Sequence, residues 1–115
     1  GVTTQKLNTQ VHAVSALKNG SFLRNDIDNL LIKPIFYTLH TNHHFGGYAK
    51  SEPELIDFIK DFSSSTGILI DPVYTAKTLF CIKDLTSMNY FKKDARILMI
   101  HTGGLFGLLG MKEKF

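Results

Sequence analysis

The sequence predicts an α/β protein in which a partial parallel sheet is flanked by helices. Three observations lead there. Short apolar, β-branched runs alternate with stretches whose apolar residues recur at helical spacing. Arg96 to Ile100 (RILMI) is a continuous apolar run, the pattern of a strand covered on both faces. Helix-start signatures, Ser51-Glu52-Pro53-Glu54 and Asp71-Pro72, precede two of the amphipathic stretches.

Taken in order, Val11 to Leu17 (VHAVSAL) reads as a buried strand ending at Lys18-Asn19-Gly20. Ser21 stands as N-cap of a helix carrying Phe22, Leu23, Ile27, Leu30 and Leu31 on one side, and Pro34 bars helix beyond Lys33. Ile35 to Leu39 (IFYTL) is a second strand, and His40 to Lys50 a loop rich in His and Gly. A helix capped by the Ser51/Glu54 box presents Leu55, Ile56, Phe58, Ile59 and Phe62, and Ser63 to Gly67 ends it. Ile68-Leu69-Ile70 is short for a strand. Asp71 caps a helix with proline at its first position, running to about Thr86. The RILMI strand, the turn His101-Thr102-Gly103-Gly104 and an apolar segment, Leu105 to Leu109, complete the pattern. About three strands make a small parallel sheet, and missing upstream elements are the simplest explanation.

At 115 residues the chain is one domain's worth at most. Its net charge of +3 is spread among acids (Lys60-Asp61, Lys83-Asp84, Lys92-Lys93-Asp94), which argues against a nucleic-acid partner. No apolar run approaches the roughly 20 residues that span a bilayer, so no membrane partner is expected. Gly1-Val2-Thr3-Thr4 opens without a basic or apolar leader, and cytoplasm is the expected compartment. Cys81, the single cysteine, lies mid-helix among apolar residues and reads as a buried structural thiol. The absence of an initiator Met leaves room for a longer protein.

Three constellations could carry chemistry. His40, His43 and His44 form H-x-x-H-H in one loop, but without a second ligand cluster no metal site is expected. His101-Thr102-Gly103-Gly104 follows a strand, where ligands sit in open α/β sheets; a plain turn needing Gly is the competing explanation. Asp71 to Lys77 puts Tyr74 and Thr75 in the first turn of a helix, whose dipole favours an anionic ligand group or a phenolate. Ordinary packing explains Tyr74, Thr75 and Tyr48 equally well when each is taken alone.

In combination, HFGGYAK (44–50), DPVYTAK (71–77), IHTGG (100–104) with LFGLLG after it, and VSALKNGSFL (14–23) resemble the carboxyl-terminal third of the 1-aminocyclopropane-1-carboxylate deaminase and D-cysteine desulfhydrase family. The likeness covers nearly the whole chain in the same order, and the 23 residues from Tyr48 to Asp71 match. It implies one segment of a larger two-domain enzyme of fold type II (tryptophan synthase β-like), with pyridoxal 5'-phosphate in the cleft between domains. Tyr48 and Tyr74 match the family's two substrate-facing tyrosines, the catalytic residues the resemblance implies. Thr75 and Thr102, with Gly103 and Gly104, match positions at the cofactor. Ring-opening deaminases carry Glu and Leu where this chain has Thr75 and Thr102.

That difference has a physical sense. A carboxylate beside the pyridine nitrogen stabilises its protonated form and makes the ring a stronger electron sink, whereas a hydroxyl does less. Elimination of a good leaving group tolerates the weaker sink better than opening a cyclopropane. The resemblance therefore implies elimination from D-cysteine or a related small amino acid, giving pyruvate, ammonia and sulfide, in a homodimeric enzyme. A ring-opening deaminase and a non-catalytic α/β binding module are the alternatives. The family's Schiff-base lysine and phosphate-binding glycine loop belong upstream of Gly1, and neither Lys50 nor Lys77 matches that lysine. The chain alone is expected to be inactive. Ala76 stands where the family often has Gly.

Overall fold

The computed structural model describes residues 5–115; the opening tetrapeptide Gly1 to Thr4, read above for a leader, lies outside them. Strands β1 (Val11–Val14) and β2 (Tyr37–His40) pair in parallel, Val11 opposite Tyr37 and Val14 opposite His40. Parallel neighbours need a long crossover, and here it carries a 3-10 turn (Gly20–Phe22) and helix α1 (Leu23–Leu30). Tyr37, buried at the start of β2, brings its hydroxyl to Asp28 Oδ1 (2.9 Å) and the Arg24 carbonyl (3.2 Å), which ties the strand to α1. Helices α2 (Pro53–Thr66), α3 (Thr75–Ser87) and α4 (Phe106–Gly110) follow, with a closing 3-10 turn at Lys112–Lys114. The α/β class, with a parallel sheet and flanking helices, is as the sequence predicts.

Several boundaries differ, each for a local reason. β1 stops at Val14 because Ser15 turns its hydroxyl onto Leu17, accepting the Leu17 N–H at 3.1 Å, while the Ser15 N–H makes the last ladder bond to the His40 carbonyl (2.8 Å). β2 begins at Tyr37 because β1 offers partners only from Val11 onward. Ser21 lies inside the 3-10 turn and caps nothing, and α1 ends at Leu30. A proline at 34 disfavours helical geometry in the residue before it.

Gly20 packs so closely over Ser15 that a β-carbon there would overlap the serine side chain. Gly20→Ala is expected to cost about 1–3 kcal/mol through this forced shift, measurable as a lowered urea midpoint.

The Ser51/Glu54 capping box is not made. Ser51 Oγ instead accepts from Lys114 Nζ at 3.0 Å, and the Leu55 and Ile56 N–H groups bond the Glu52 carbonyl. The serines expected to end α2 stay helical by returning their hydroxyls to earlier carbonyls (Ser64 to Asp61, Ser65 to Phe62). Gly67, at φ +74, makes the stop.

The largest correction concerns Arg96 to Ile100, which forms no strand among the described residues. Leu98 and Ile100 are 90 % and 76 % exposed rather than covered on both faces. An apolar run reports that its faces want cover, but a strand also needs a neighbour for its N–H and C=O groups. Ile68 to Ile70 is likewise irregular, with only Ile70 buried.

The core lies between α2 and α3: Leu55, Ile56 and Ile59 against Ala76 and Phe80, with Ile70 closing one end and Phe45, Phe58, Phe62, Leu79 and Leu108 around it. Cys81 is buried in α3, and burial pushes its thiol up to about 11, with the nearby Asp84 charge adding; it is a packing residue. Among the described residues no helix is long and apolar enough to cross a membrane.

Candidate active site

The site is organised by Asp71, which is buried. Its Oδ1 accepts the N–H groups of Val73 and Tyr74 (2.8 Å each), and its Oδ2 accepts the Thr75 N–H (2.9 Å) and the Thr75 hydroxyl (2.6 Å). The Thr75 hydroxyl in return accepts the Asp71 N–H at 2.8 Å, and the Ala76 N–H bonds the Asp71 carbonyl at 2.9 Å. Asp71 is therefore not the N-cap of α3 that the sequence predicts, nor is Pro72 its first residue. The carboxylate closes a turn through Pro72 and Val73, Tyr74 holds the cap position, and regular α3 begins at Thr75. The N–H groups that were expected to attract an anionic ligand are already consumed by this internal carboxylate.

Tyr74 leaves the turn pointing its ring at Tyr48, with centroids 6.0 Å apart and planes at 61°. Both rings are about half exposed, at 48 % for Tyr74 and 58 % for Tyr48. The Tyr74 phenol is held above the ordinary tyrosine range, first by hydrogen bonding with the Tyr48 phenol, then by desolvation and the charges of Tyr48 and Asp71. It therefore keeps its proton at neutral pH. This corrects the expectation of a phenolate: the helix dipole is spent on Asp71, whose own charge then opposes a second anion beside it.

Tyr48 is brought here by the loop before it. Lys77, with no exposed surface, donates from Nζ to the carbonyls of His44 (2.8 Å) and Gly47 (2.7 Å). The same turn is closed by the Gly47 N–H on the His44 carbonyl and the Lys50 N–H on the Gly47 carbonyl. Gly46 and Gly47, at φ +90 and +119, allow the reversal.

The third motif packs on Asp71 from the other side. At Gly104 (φ +76) a β-carbon would lie 3.3 Å from Asp71 Cγ and Oδ2, so the close approach suits glycine. His101 accepts the Gly103 N–H at Nδ1 (3.0 Å), which leaves Nε2 to carry the proton it donates to the Leu69 carbonyl (2.8 Å). That neutral tautomer pins the turn to the chain entering Asp71. Thr102, between His101 and Gly103, is exposed, and Gly103 faces open space.

The structure therefore gathers Tyr74, Thr75 and Gly104 around one buried carboxylate, with Tyr48 against the Tyr74 ring and Thr102 and Gly103 on the adjoining turn. The two threonines differ: the Thr75 hydroxyl is spent on Asp71, whereas Thr102 is open. The three loop histidines go separate ways. His43 Nε2 meets Asp84 at 2.8 Å, His44 Nδ1 accepts the Gly46 N–H, and His40 stacks on His12 with 3.0 Å between ring nitrogens. Burial, then His12 and His43, hold His40 below the usual histidine range.

Sequence reasoning passed over Asp71 and Lys77 as parts of the site. For Lys77 a signal existed: it falls on the same face of α3 as the buried Phe80 and Cys81, three and four residues on, where a solvated lysine has no place.

No protein-family model matches the chain. The bifunctional D-cysteine desulfhydrase/1-aminocyclopropane-1-carboxylate deaminase of Arabidopsis thaliana is 43% identical over 63 residues, 54% of this chain and 16% of that protein. A putative 1-aminocyclopropane-1-carboxylate deaminase of Pyrococcus furiosus is 30% identical over 106 residues, 92% of this chain and 30% of that protein. The crystal structure of an ACC deaminase homologue superposes with a TM-score of 0.86 at 25% identity, over 99% of this chain and 37% of the other. The chain thus spans less than a third of the length of either curated relative. By sequence across most of its residues and by fold across nearly all of them, it belongs to the 1-aminocyclopropane-1-carboxylate deaminase and D-cysteine desulfhydrase family.

Proposed function

We propose that this chain is the carboxyl-terminal part of a larger, two-domain, pyridoxal 5'-phosphate-dependent lyase, and that the complete homodimeric enzyme favours β-elimination from D-cysteine or a related small amino acid. The products are pyruvate, ammonia and sulfide. The observation that carries the proposal is the Tyr48–Tyr74 pair, half-exposed beside a glycine turn packed on Asp71, in a chain of this family.

The residues present fit one side of such a cofactor. Thr102, exposed on the turn, would offer its hydroxyl to the pyridine ring, and the open space at Gly103 would admit it, while Gly104 packs on Asp71 beneath. When bound, pyridoxal phosphate supplies the electron sink that makes the α-proton of an amino acid acidic. Tyr74 Oη, which keeps its proton at neutral pH, hydrogen-bonds the substrate and hands that proton to the departing sulfur. Tyr48 Oη stands beside it to share the hydrogen bond. Thr75 acts through Asp71, holding the turn that aims Tyr74, and Thr102 is the threonine that would meet the cofactor. Lys77 is closed off by two carbonyls, in keeping with a Schiff-base lysine supplied by another part of the enzyme.

Both activities occur in the names of relatives, and the pair of threonines favours elimination over ring opening. The test is an assay of the complete enzyme that contains this segment. Sulfide and pyruvate from D-cysteine should outpace 2-oxobutyrate from 1-aminocyclopropane-1-carboxylate, and Tyr74→Phe should lower kcat for elimination by about 100-fold. Faster 2-oxobutyrate release would make it a ring-opening deaminase. The 115-residue chain by itself should release no pyruvate from D-cysteine.

A further inference from the structure

A lysine side chain normally lays its methylenes along the surface and keeps its ammonium in water. Lys77 has no exposed surface at all, and its ammonium is directed at main chain: the His44 and Gly47 carbonyls, at 2.8 and 2.7 Å. Those carbonyls bracket Phe45 and Gly46, where the chain reverses. Phe45 (φ +49), Gly46 (+90), Gly47 (+119) and Ala49 (+53) all lie in the left-handed region, which disfavours the two residues with side chains. Such a run persists only when its surroundings over-determine it. Each bracketing carbonyl also accepts a backbone N–H, from Gly47 and from Lys50, so the turn is wound around a buried cation. Charge-assisted donors of this kind are the stronger hydrogen bonds. Tyr48 emerges directly from this turn, and Tyr74 stands three residues before Lys77 on the adjoining chain.

We propose that Lys77 is a positioning residue for the tyrosine pair: its ammonium serves as the internal cation of the 44–47 turn and thereby sets Tyr48 against Tyr74. The consequence for turnover rests on the function proposed above; the geometric role does not. A buried ammonium that held nothing in place would be an unexplained expense, because desolvation disfavours the charge, and here burial does lower the pKa of Lys77 against the opposing pull of Asp71. The two carbonyls are what the charge holds.

Nuclear magnetic resonance on the 115-residue chain tests this without cofactor or substrate. In the unmodified chain the Lys77 ammonium protons should exchange slowly enough to be observed, and the Tyr48 and Tyr74 rings should show mutual Overhauser contacts. A Lys77 ammonium that exchanges like a surface lysine's overturns the proposal before any variant is made. Lys77→Met keeps the stem and removes the donors. It should abolish the ring contacts, speed amide exchange at Gly47 and Lys50 by at least about tenfold, and return the Tyr74 titration toward the ordinary tyrosine range. Lys83→Met, on an exposed part of the same helix, should change none of these. Tyrosine contacts that survive in a folded Lys77→Met chain refute the role. If that variant does not fold, the ammonium exchange in the unmodified chain decides. Failure here would leave elimination standing, and failure of the activity assays would leave the tyrosine geometry standing.

Discussion

Asp71→Ala is expected to destabilise the chain by about 4 kcal/mol, a large share of the total for a domain of this size. Four donors converge on this carboxylate: the N–H groups of Val73, Tyr74 and Thr75, and the Thr75 hydroxyl. Removing a helix cap alone costs up to about 2 kcal/mol. Here the orphaned donors at Thr75 are also buried, and a buried polar group left unpaired costs a further ~1–3 kcal/mol. Gly104 rests on the same side chain, so the turn carrying Thr102 loses its floor as well. Asp71→Asn is the sharper probe. Its amide keeps one acceptor oxygen for two of the N–H groups but turns an NH2 toward the Thr75 N–H and hydroxyl, so it should fall between wild type and alanine. Urea unfolding measures both, and amide exchange at Val73 and Tyr74 should rise first. A loss below about 1 kcal/mol for alanine would show that water replaces the carboxylate without penalty.

What was legible in the sequence follows the range of the interaction involved. Helix α3 and the turn before it are local: Asp71 meets N–H groups two to four residues away, which residue type and spacing report, though not that regular helix waits until Thr75. The capping box at Ser51 has the same local signature and fails, because Lys114 claims the hydroxyl from 63 residues away. Arg96 to Ile100 shows the same limit for strands. Its apolar run records a need for cover on both faces, while the partner that would complete a ladder is nowhere in the local pattern. The site was legible only through the order and spacing of three motifs. Tyr48 and Tyr74 meet because Lys77 draws a loop onto a helix, 33 and 30 residues back in the chain. The fate of Thr75 could not be read at all: its hydroxyl is as able to face a ligand as a neighbouring carboxylate, and only the packed turn decides between them.

That turn gives the substrate-specificity swap an asymmetric outcome. Exchanging Thr75→Glu and Thr102→Leu introduces the ring-opening pattern, but the two positions are not equivalent. Thr102 is exposed on an open turn, so Thr102→Leu should fold normally and alter only the cofactor contact proposed for it. Thr75 is buried with its hydroxyl 2.6 Å from Asp71 Oδ2. A glutamate there brings a second buried carboxylate against the first, while the Lys77 ammonium that interacts with Asp71 is already held by the His44 and Gly47 carbonyls. A buried charge left without a partner of its own costs about 3–5 kcal/mol. The introduced carboxyl escapes part of that cost by staying protonated, so its pKa in the folded chain lies above its unfolded value. The sign follows: relative to the parent, the deficit is small below the unfolded glutamate pKa, grows as pH rises through it, and levels off above the folded value. Paired urea titrations of parent and variant at about pH 4 and pH 7 measure this, with the larger gap at pH 7. A gap independent of pH would mean that the new side chain swings away from Asp71 into solvent. In that case the complete double variant is free to gain 2-oxobutyrate release at the expense of sulfide. With the carboxyl trapped against Asp71, only the Thr102→Leu half of the swap should reach the proposed chemistry, so the proposed elimination should weaken without ring opening taking its place.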